Sequence, residues 1–476
     1  MKGGLHGRPG ATTTGPIVTA LPPPSPAPRA RLPWTRGRRA GFALYQAAMA
    51  LAVPAVLALV LWRSRREPLY RAHLGHRFGA LPAPCGPGAV WVFAASLGET
   101  RAASPLIRAL LAEGRRILLT HSSPAGLTEG RRQFADEIAA GRVVQAYQPL
   151  DLVPLLARAI RRHRPAAALV GESELWPGFV AALEAAGVPL AQINGALTQR
   201  AVDRDLKSAL GRFRLWFLQG YDRVLTKTGA FAERYVAAGV DPGRIAAVGE
   251  LRFDLPIRED LVVAAGRLRP ALARHRPVLT VASSIEPEEA ALVAMVRRLW
   301  AETDAFVVWA PRSPQRFASV AAALEAAGLR VLRRSRDLPA DLTQPPAAPP
   351  PAADVLVADS LGEMDFSYAL GDLVFVGATL ADWGGHNVTE PLALQRPVVT
   401  GPSVFGIPAP SDAAQAAGAM EVHPDAAALG DAVATYLADP AALAAFQART
   451  RGLTDAHKGA AARSMAALAP LLRGHD

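Results

Sequence analysis

Apolar and polar positions follow one repeating order along most of this chain. A short unbroken apolar run comes first, then a cluster of Gly, Ser, Asn or acidic residues, then a longer stretch with helical spacing. In the first half the short runs fall at 89–94, 116–120, 143–147, 167–170, 189–193, 223–225 and 245–248. The rhythm restarts at Pro277, with runs at 278–281, 306–310, 355–358, 372–376 and 397–400 and a further candidate near Met420. Runs of this length, apolar throughout, fit strands buried on both faces, and the amphipathic stretches between them fit crossover helices. The pattern predicts an α/β protein with two mostly parallel sheets, joined near residues 254–270 and facing a cleft. Polar clusters after strand ends mark where open α/β sheets place their ligands.

Two segments break the rhythm. Residues 1–33 are rich in Pro, Gly, Thr and Ala and carry too little apolar surface to fold alone. Residues 40–62 contain no charged side chain, and that length spans a hydrocarbon core as a helix. Arg36, Arg38 and Arg39 precede it, Arg63, Arg65 and Arg66 follow it, and Trp34, Tyr45 and Trp62 suit membrane interfaces. The expected organisation is a disordered basic Pro-rich tail at 1–39 and a membrane-anchor helix at 40–62. An N-terminal Rossmann-like domain at 63–260 and a C-terminal one at 261–476 follow. Whether 40–62 spans the membrane or lies on it stays open at this point.

Composition narrows the function. The chain has 476 residues and a formal charge of +11, with much of the excess cation near the N-terminus. No zinc-finger spacing or compact basic recognition helix is present, so nucleic acid is not an expected partner; a basic tail suits an anionic membrane surface. A single cysteine, Cys85, excludes an internal disulfide and any multi-cysteine metal site. No Gly-x-Gly-x-x-Gly follows the first strand and no Walker A lysine motif occurs, which removes ordinary dehydrogenase and P-loop ATPase readings. No cofactor and no metal are expected.

The stretch 376–402 carries the strongest local signal. A strand, the pair Gly384-Gly385 and a helix starting near Asn387 or Thr389 would gather backbone N–H groups around a small volume, the way a backbone holds phosphate. His386 and Asn387 add side-chain donors, and Glu390 sits where a carboxylate can accept from ribose hydroxyls. Glu99 follows a strand and the turn Ser96-Leu97-Gly98, in position to take a proton from an acceptor hydroxyl. A helix N-terminus stabilises the charged carboxylate and weakens it as a base, so burial or a neighbouring acid has to compensate. Glu172 and Glu174 flank Ser173 at another strand end and would point the same way in extended backbone, suiting sugar hydroxyls or paired proton chemistry. Arg312 and Arg316 are candidate clamps for phosphate or carboxylate. Asp359, Glu363 and Tyr368 suit a cleft wall, and His121 is placed to reach an anionic ligand.

Taken together these stretches resemble the bacterial 3-deoxy-D-manno-octulosonic acid (Kdo) transferases. The points of likeness are Ser96-Leu97-Gly98-Glu99, Pro149-Leu150-Asp151, Glu172-Ser173-Glu174-Leu175-Trp176-Pro177, Gly249-Glu250-Leu251-Arg252-Phe253-Asp254, Asp359-Ser360-Leu361-Gly362-Glu363-Met364, Gly384-Gly385-His386-Asn387 with Glu390-Pro391, and Gly401-Pro402. The resemblance covers about residues 42–470. It implies a GT-B glycosyltransferase with an N-terminal anchor that moves Kdo from CMP-Kdo to a lipid A precursor, inverting the anomeric centre without a metal. It implies Glu99 as general base, with Ser96, Glu172 and Glu174 near the substrate. Arg312, Glu363, Gly384, Gly385, His386, Asn387 and Glu390 would hold the CMP-sugar. The implied location is the inner membrane, with the catalytic domains on the cytoplasmic side.

The chain departs from the family pattern at several places. Ser313 and Gln315 stand where the family has His and Glu, and Ser283-Ser284-Ile285 replaces Ser-Thr-His. Asn194-Gly195-Ala196 lacks an arginine, Gly249-Glu250-Leu251-Arg252 replaces Gly-Asn-Leu-Lys, and Ser403 replaces a His. Two alternatives therefore accompany the main expectation: a GT-B transferase with another activated sugar or acceptor, and a catalytically silent membrane-anchored nucleotide- or lipid-binding protein.

Overall fold

The computed structural model describes residues 30–84, 86–346 and 348–473; positions 1–29 of the tail expected at 1–39, and Cys85, lie outside the described residues. The described residues form two compact units, one of those up to 255 together with those from 459 on, the other of those from 256 to 458. The first unit holds a parallel sheet of β1 (Val90–Phe93), β2 (Ile117–His121), β3 (Val143–Tyr147), β4 (Ala167–Gly171), β5 (Leu190–Gly195), β6 (Arg223–Thr226) and β7 (Ile245–Ala247). Its strand order is β3-β2-β1-β4-β5-β6-β7, so the direction of winding reverses between β1 and β4. The second unit repeats the plan with β8 (Val278–Ser284), β9 (Phe306–Pro311), β10 (Val331–Arg333), β11 (Val355–Val357), β12 (Leu373–Val376), β13 (Val398–Thr400) and β14 (Met420–Val422). There the order is β10-β11-β9-β8-β12-β13-β14, and the reversal falls between β8 and β12. The strand β10 is absent from the sequence expectation because its run, Val331 to Arg333, contains only two apolar residues.

Each sheet is buried on both faces, as the unbroken apolar runs require. In β1 the side chains alternate: Trp91 and Phe93 enter one core with Phe179, Leu183 and Tyr221, while Val90 and Val92 enter the opposite core with Leu106, Ile107 and Leu110. The second core also takes Leu468 and Leu472 from the C-terminal helix Ala460–Leu472. Full burial of such a leucine is worth about 1.5–3 kcal/mol. Asp254 fixes the start of that helix, accepting hydrogen bonds from Gly459 N and Ala461 N, each at 2.6 Å. The helix Ala460–Leu472 thus belongs with the first unit and not with the second, where it was expected within 261–476.

The apolar segment is helical from Arg36 to Arg63, capped at its start by the Thr35 hydroxyl. It is the one helix among the described residues long and apolar enough to cross a membrane, and almost none of its apolar window is buried. The stretch before it corrects an expectation. Residues 30–39, assigned by sequence to the disordered tail, lie against the first unit: Ala30 N donates to Asp222 at 2.7 Å, and Leu32 N and Trp34 Nε1 donate to Glu184 at 2.7 and 2.9 Å. Trp34 and Tyr45 also differ from their expected interfacial role. The Trp34 ring packs on Phe42 and Trp216, and Tyr45 Oη donates to buried Asp151 at 2.7 Å. Asp151 accepts as well from Gly178 N and Phe179 N, so one carboxylate ties the membrane-type helix to the start of a sheet-covering helix.

Candidate active site

In each unit candidate residues stand at the C-terminal ends of the strands, among them the two that flank the reversal of strand order, where α/β sheets open a crevice; Arg312, after β9, and Asp359 and Glu363, after β11, stand further from that point. In the first unit these ends carry Glu99, after β1, and Glu172, after β4. Ser96 caps the helix Leu97–Ala112, its hydroxyl accepting from Glu99 N at 3.2 Å. The Glu99 carboxylate folds back over the same turn. Its Oε2 accepts from Ala95 N at 2.7 Å, and its Oε1 accepts from Ser96 Oγ at 3.3 Å. Glu99 is therefore a capping carboxylate and is also aimed at the strand ends. Its pKa is raised to about 7, first by burial and then by the charge of Glu174, with Glu172 adding to the effect; the Ala95 N–H and Ser96 oppose it. The compensation that a helix-start base requires is thus present, and Glu99 titrates near neutrality.

The Glu172/Glu174 pair does not have the extended backbone expected from sequence. Glu172 has φ of +48° and begins a turn, so the two side chains diverge. Glu172 Oε1 meets Arg252 Nη2 at 2.6 Å and Lys227 Nζ at 3.5 Å. Glu174 accepts from Trp176 Nε1 at 2.7 Å. Behind them is a buried network that the sequence reading did not assemble. Lys227 Nζ lies 2.8 Å from Glu250, Arg252 Nη1 lies 3.3 Å from it, and Asn194 Nδ2 donates to it at 2.9 Å. Lys227 and Arg252 hold the Glu250 carboxyl down at about 2 against the burial that opposes them. Arg252 also donates to Gly98 O at 3.3 Å, which joins the network to the turn that carries Glu99. The only prior sign of it was the Gly249-Glu250-Leu251-Arg252 run, since Lys227 and Asn194 come from other strand ends.

His121 is not placed to meet a ligand. It is fully buried, with Nδ1 2.9 Å from Ala94 O and Nε2 2.9 Å from Gln145 Nε2. Nδ1 faces a carbonyl and so carries the proton; Nε2 accepts from the amide. Burial pushes the imidazole down to about 4, and the neutral ring pins the β1 end.

In the second unit the corresponding ends belong to β8 and β12. The β12 loop contains Ala378 at φ +60°, Gly384 at +90° and Gly385 at +83°. A Cβ at Gly384 would lie 2.8 Å from the Phe405 ring and 2.9 Å from Gly406 N, so both its angles and its space call for glycine. The N–H groups of the glycine pair are not bare, which corrects the phosphate-cradle expectation: Gly384 N donates to Ser403 Oγ at 2.9 Å and Gly385 N to Ala378 O at 2.8 Å. The glycines shape the loop. Ser403, at a family His position, serves as a brace for it. The following helix, Thr389–Ala393, is a short one, and the Asn387 side chain bridges its start by accepting from Thr389 N at 2.9 Å and donating to Glu390 Oε1 at 3.0 Å.

Polar capacity remains on side chains beside this loop. His386 Nε2 and Thr389 Oγ1 are buried atoms without a hydrogen-bond partner. Burial and the nearby Arg312 guanidinium lower the His386 pKa, leaving a neutral imidazole next to a cation. Buried Glu288, which sequence reading missed, supports the loop from behind by accepting from Ala378 N at 2.7 Å, Ile285 N at 3.0 Å and Leu380 N at 3.4 Å. Two expected ligand residues are engaged elsewhere. Glu363 pairs with buried Arg334 at 2.7 Å, and Arg316 pairs with Glu289 at 2.6 Å and Glu286 at 2.9 Å. Asp359 is likewise held by Arg333 and Ser335.

The model of the family described as 3-deoxy-D-manno-octulosonic-acid transferase (kdotransferase) matches residues 72–255. The 3-deoxy-D-manno-octulosonic acid transferase of Bordetella pertussis is 37% identical over 420 residues, covering 86% of this chain and 95% of the relative. The enzyme of the same description from Haemophilus influenzae is 29% identical over 373 residues, covering 76% and 83%. Among solved structures, the UDP-GlcNAc 2-epimerase of Neisseria meningitidis bound to UDP-GlcNAc matches 80% of this chain and 99% of its own, with a TM-score of 0.52 and 11% identity. That last likeness is one of fold alone, and it is GT-B-like. With sequence similarity running through both units, the chain belongs to the 3-deoxy-D-manno-octulosonic acid transferase family.

Proposed function

We propose that this chain transfers Kdo from CMP-Kdo to a hydroxyl of a lipid A precursor, with inversion in a single displacement. The observation that carries the mechanism is Glu99, a half-buried carboxylate at the end of β1 whose pKa of about 7 lets it accept a proton at neutral pH. The acceptor hydroxyl gives its proton to Glu99 as its oxygen bonds to the anomeric carbon. The bond from that carbon to the phosphate oxygen breaks, and the electron pair leaves with CMP. Arg312 and His386, with the shape set by Gly384, Gly385 and Asn387, take the phosphate and its growing negative charge. Glu390, whose carboxylate accepts from Asn387 at 3.0 Å, takes the ribose hydroxyls in this reading. The Arg252–Glu172 pair keeps the Glu99 turn in place, and Glu174 keeps its carboxyl from ionising too early. The helix Arg36–Arg63 anchors the enzyme at the inner membrane beside its lipid acceptor, with both units in the cytoplasm.

The test is a detergent-supported transfer assay with purified full-length protein, CMP-Kdo and lipid A precursor, read by mass analysis of the lipid. A mass gain of one or more Kdo units, abolished by Glu99→Ala, is expected. An unmodified lipid alongside intact fold and CMP binding would reject the donor–acceptor assignment.

A further inference from the structure

Beside the start of the apolar helix, the pair of helices Gln199–Leu206 and Ala209–Trp216 forms a hairpin on the first unit. The second of these runs antiparallel to the apolar helix. The Trp216 ring meets Trp34 at 4.9 Å between centroids and lies under the Arg38 guanidinium at 4.9 Å. Further along, Phe213 packs on Gly41, where a Cβ would touch its ring at 3.3 Å. Moving back from Trp216 to Phe213 therefore moves forward along the apolar helix. Leu210 comes next, about 4.5 Å further in the same direction at helical rise. The hairpin tip thus points the way the apolar helix travels, toward exposed Leu44 and Leu51.

The tip is built unlike a soluble surface. Leu210 is 76% exposed and Leu206 42%, with Lys207, Ser208 and Ala209 exposed between them. Residues 199–216 carry five cations against two carboxylates. Asp205 is paired with Arg204 and Arg214, while Arg200, Lys207 and Arg212 have no acidic partner among the described residues. Exposed leucines ringed by unpaired cations match the chemistry of an anionic lipid–water interface, where apolar side chains enter the acyl boundary and cations meet the headgroups.

We propose that this hairpin tip is a second membrane contact, docking Leu206 and Leu210 into the headgroup region of an anionic bilayer beside the point where the apolar helix enters it. The contact would give the first unit a second point of attachment to the bilayer beside the helix that Asp151 already ties to it. It rests on the reading of Arg36–Arg63 as a membrane helix.

The experiment separates the two readings. In a Cys85→Ser background, full-length protein carrying Leu210→Cys, Leu51→Cys or Glu113→Cys is labelled with an environment-sensitive dye. Each is reconstituted into phosphatidylglycerol-containing vesicles doped with two lipid quenchers, one placed near the headgroup for position 210 and one along the acyl chain for position 51, about the middle of the helix. The expected result is a loss of fluorescence at 210 comparable to that at 51, none at 113, and weaker quenching at 210 when the lipid is entirely phosphatidylcholine. Quenching at 51 with 210 behaving like 113 would overturn the hairpin contact and leave the anchor standing. No quenching at 51 would overturn the anchor itself. A label at 210 shielded from both lipid quencher and aqueous iodide would show the tip covered by a second copy of the chain, which also overturns the proposal.

Discussion

After β1, a half-buried carboxylate feels the charge of two others; after β12, a neutral imidazole lies beside a guanidinium, with two buried polar atoms lacking partners. The first loop is held by side chains, through the Glu172–Arg252–Glu250–Lys227 network and the His121 pin. The second is held at its own main chain, whose left-handed residues turn it and whose N–H groups are taken by Ser403 Oγ, Ala378 O and the Glu288 carboxylate. The difference follows from the chemistry each end has to do. A base must have its proton affinity raised, which takes burial and like charge. An anion site must keep donors unfilled, which here takes a backbone whose N–H groups are already satisfied and leaves His386 and Thr389 free.

The largest effect is expected at Glu99. Glu99→Ala should lose at least about 10²-fold in turnover while keeping fold and CMP binding, because general-base effects start at that size; near-normal turnover would remove Glu99 as the base. The wild-type enzyme should also lose kcat/KM as pH falls through about 7, since the raised pKa means that the required ionised form is present only above it. A rate that stays flat to pH 5 would contradict this.

Next in size is Gly384→Ala, which forces a side chain onto a φ of +90° and against Phe405. A cost of about 1–3 kcal/mol should appear as weaker CMP binding by calorimetry. The paired control is Gly266→Ala, in the open on a helix surface, which should leave binding unchanged and gain up to about 1 kcal/mol of stability. His386→Ala should weaken CMP binding by about tenfold, near the value of one hydrogen bond to a charged group, and leave the acid limb of the pH profile where it was. A shift of that limb would mean that the two loops do not divide their roles as described. The smallest effect is expected of Glu174→Gln. It removes a like charge from beside Glu99, so the acid limb should move to lower pH with the rate above it largely kept; a limb that moves up, or not at all, would remove Glu174 as a cause of the raised pKa.

Much of this was legible in the chain. Unbroken apolar runs announced parallel strands because a strand covered by helices on both faces has no polar side. The strand ends were marked by Gly, Ser and acidic clusters, and Glu99 was placed correctly at one of them. The Glu172/Glu174 geometry was not legible, since a left-handed residue at Glu172 changes the direction of both side chains and nothing in Glu-Ser-Glu signals it. Glu288 was hidden for another reason: its position in a run of acidic residues reads as a helix start, and only folding brings the β12 loop onto its carboxylate.

By itself the sequence determined which segments are strands, helices and apolar span, and which residue types stand at strand ends, because these depend on local spacing and burial preference. Tertiary structure decided what those residues can do. Proton affinity at Glu99, the filling of the glycine N–H groups, the pairing of Glu363 and Arg316, and the return of the C-terminal helix to the first unit all depend on groups far apart in the chain. Electrostatics and hydrogen bonding act over a few ångströms of space, and only the fold sets which residues share them.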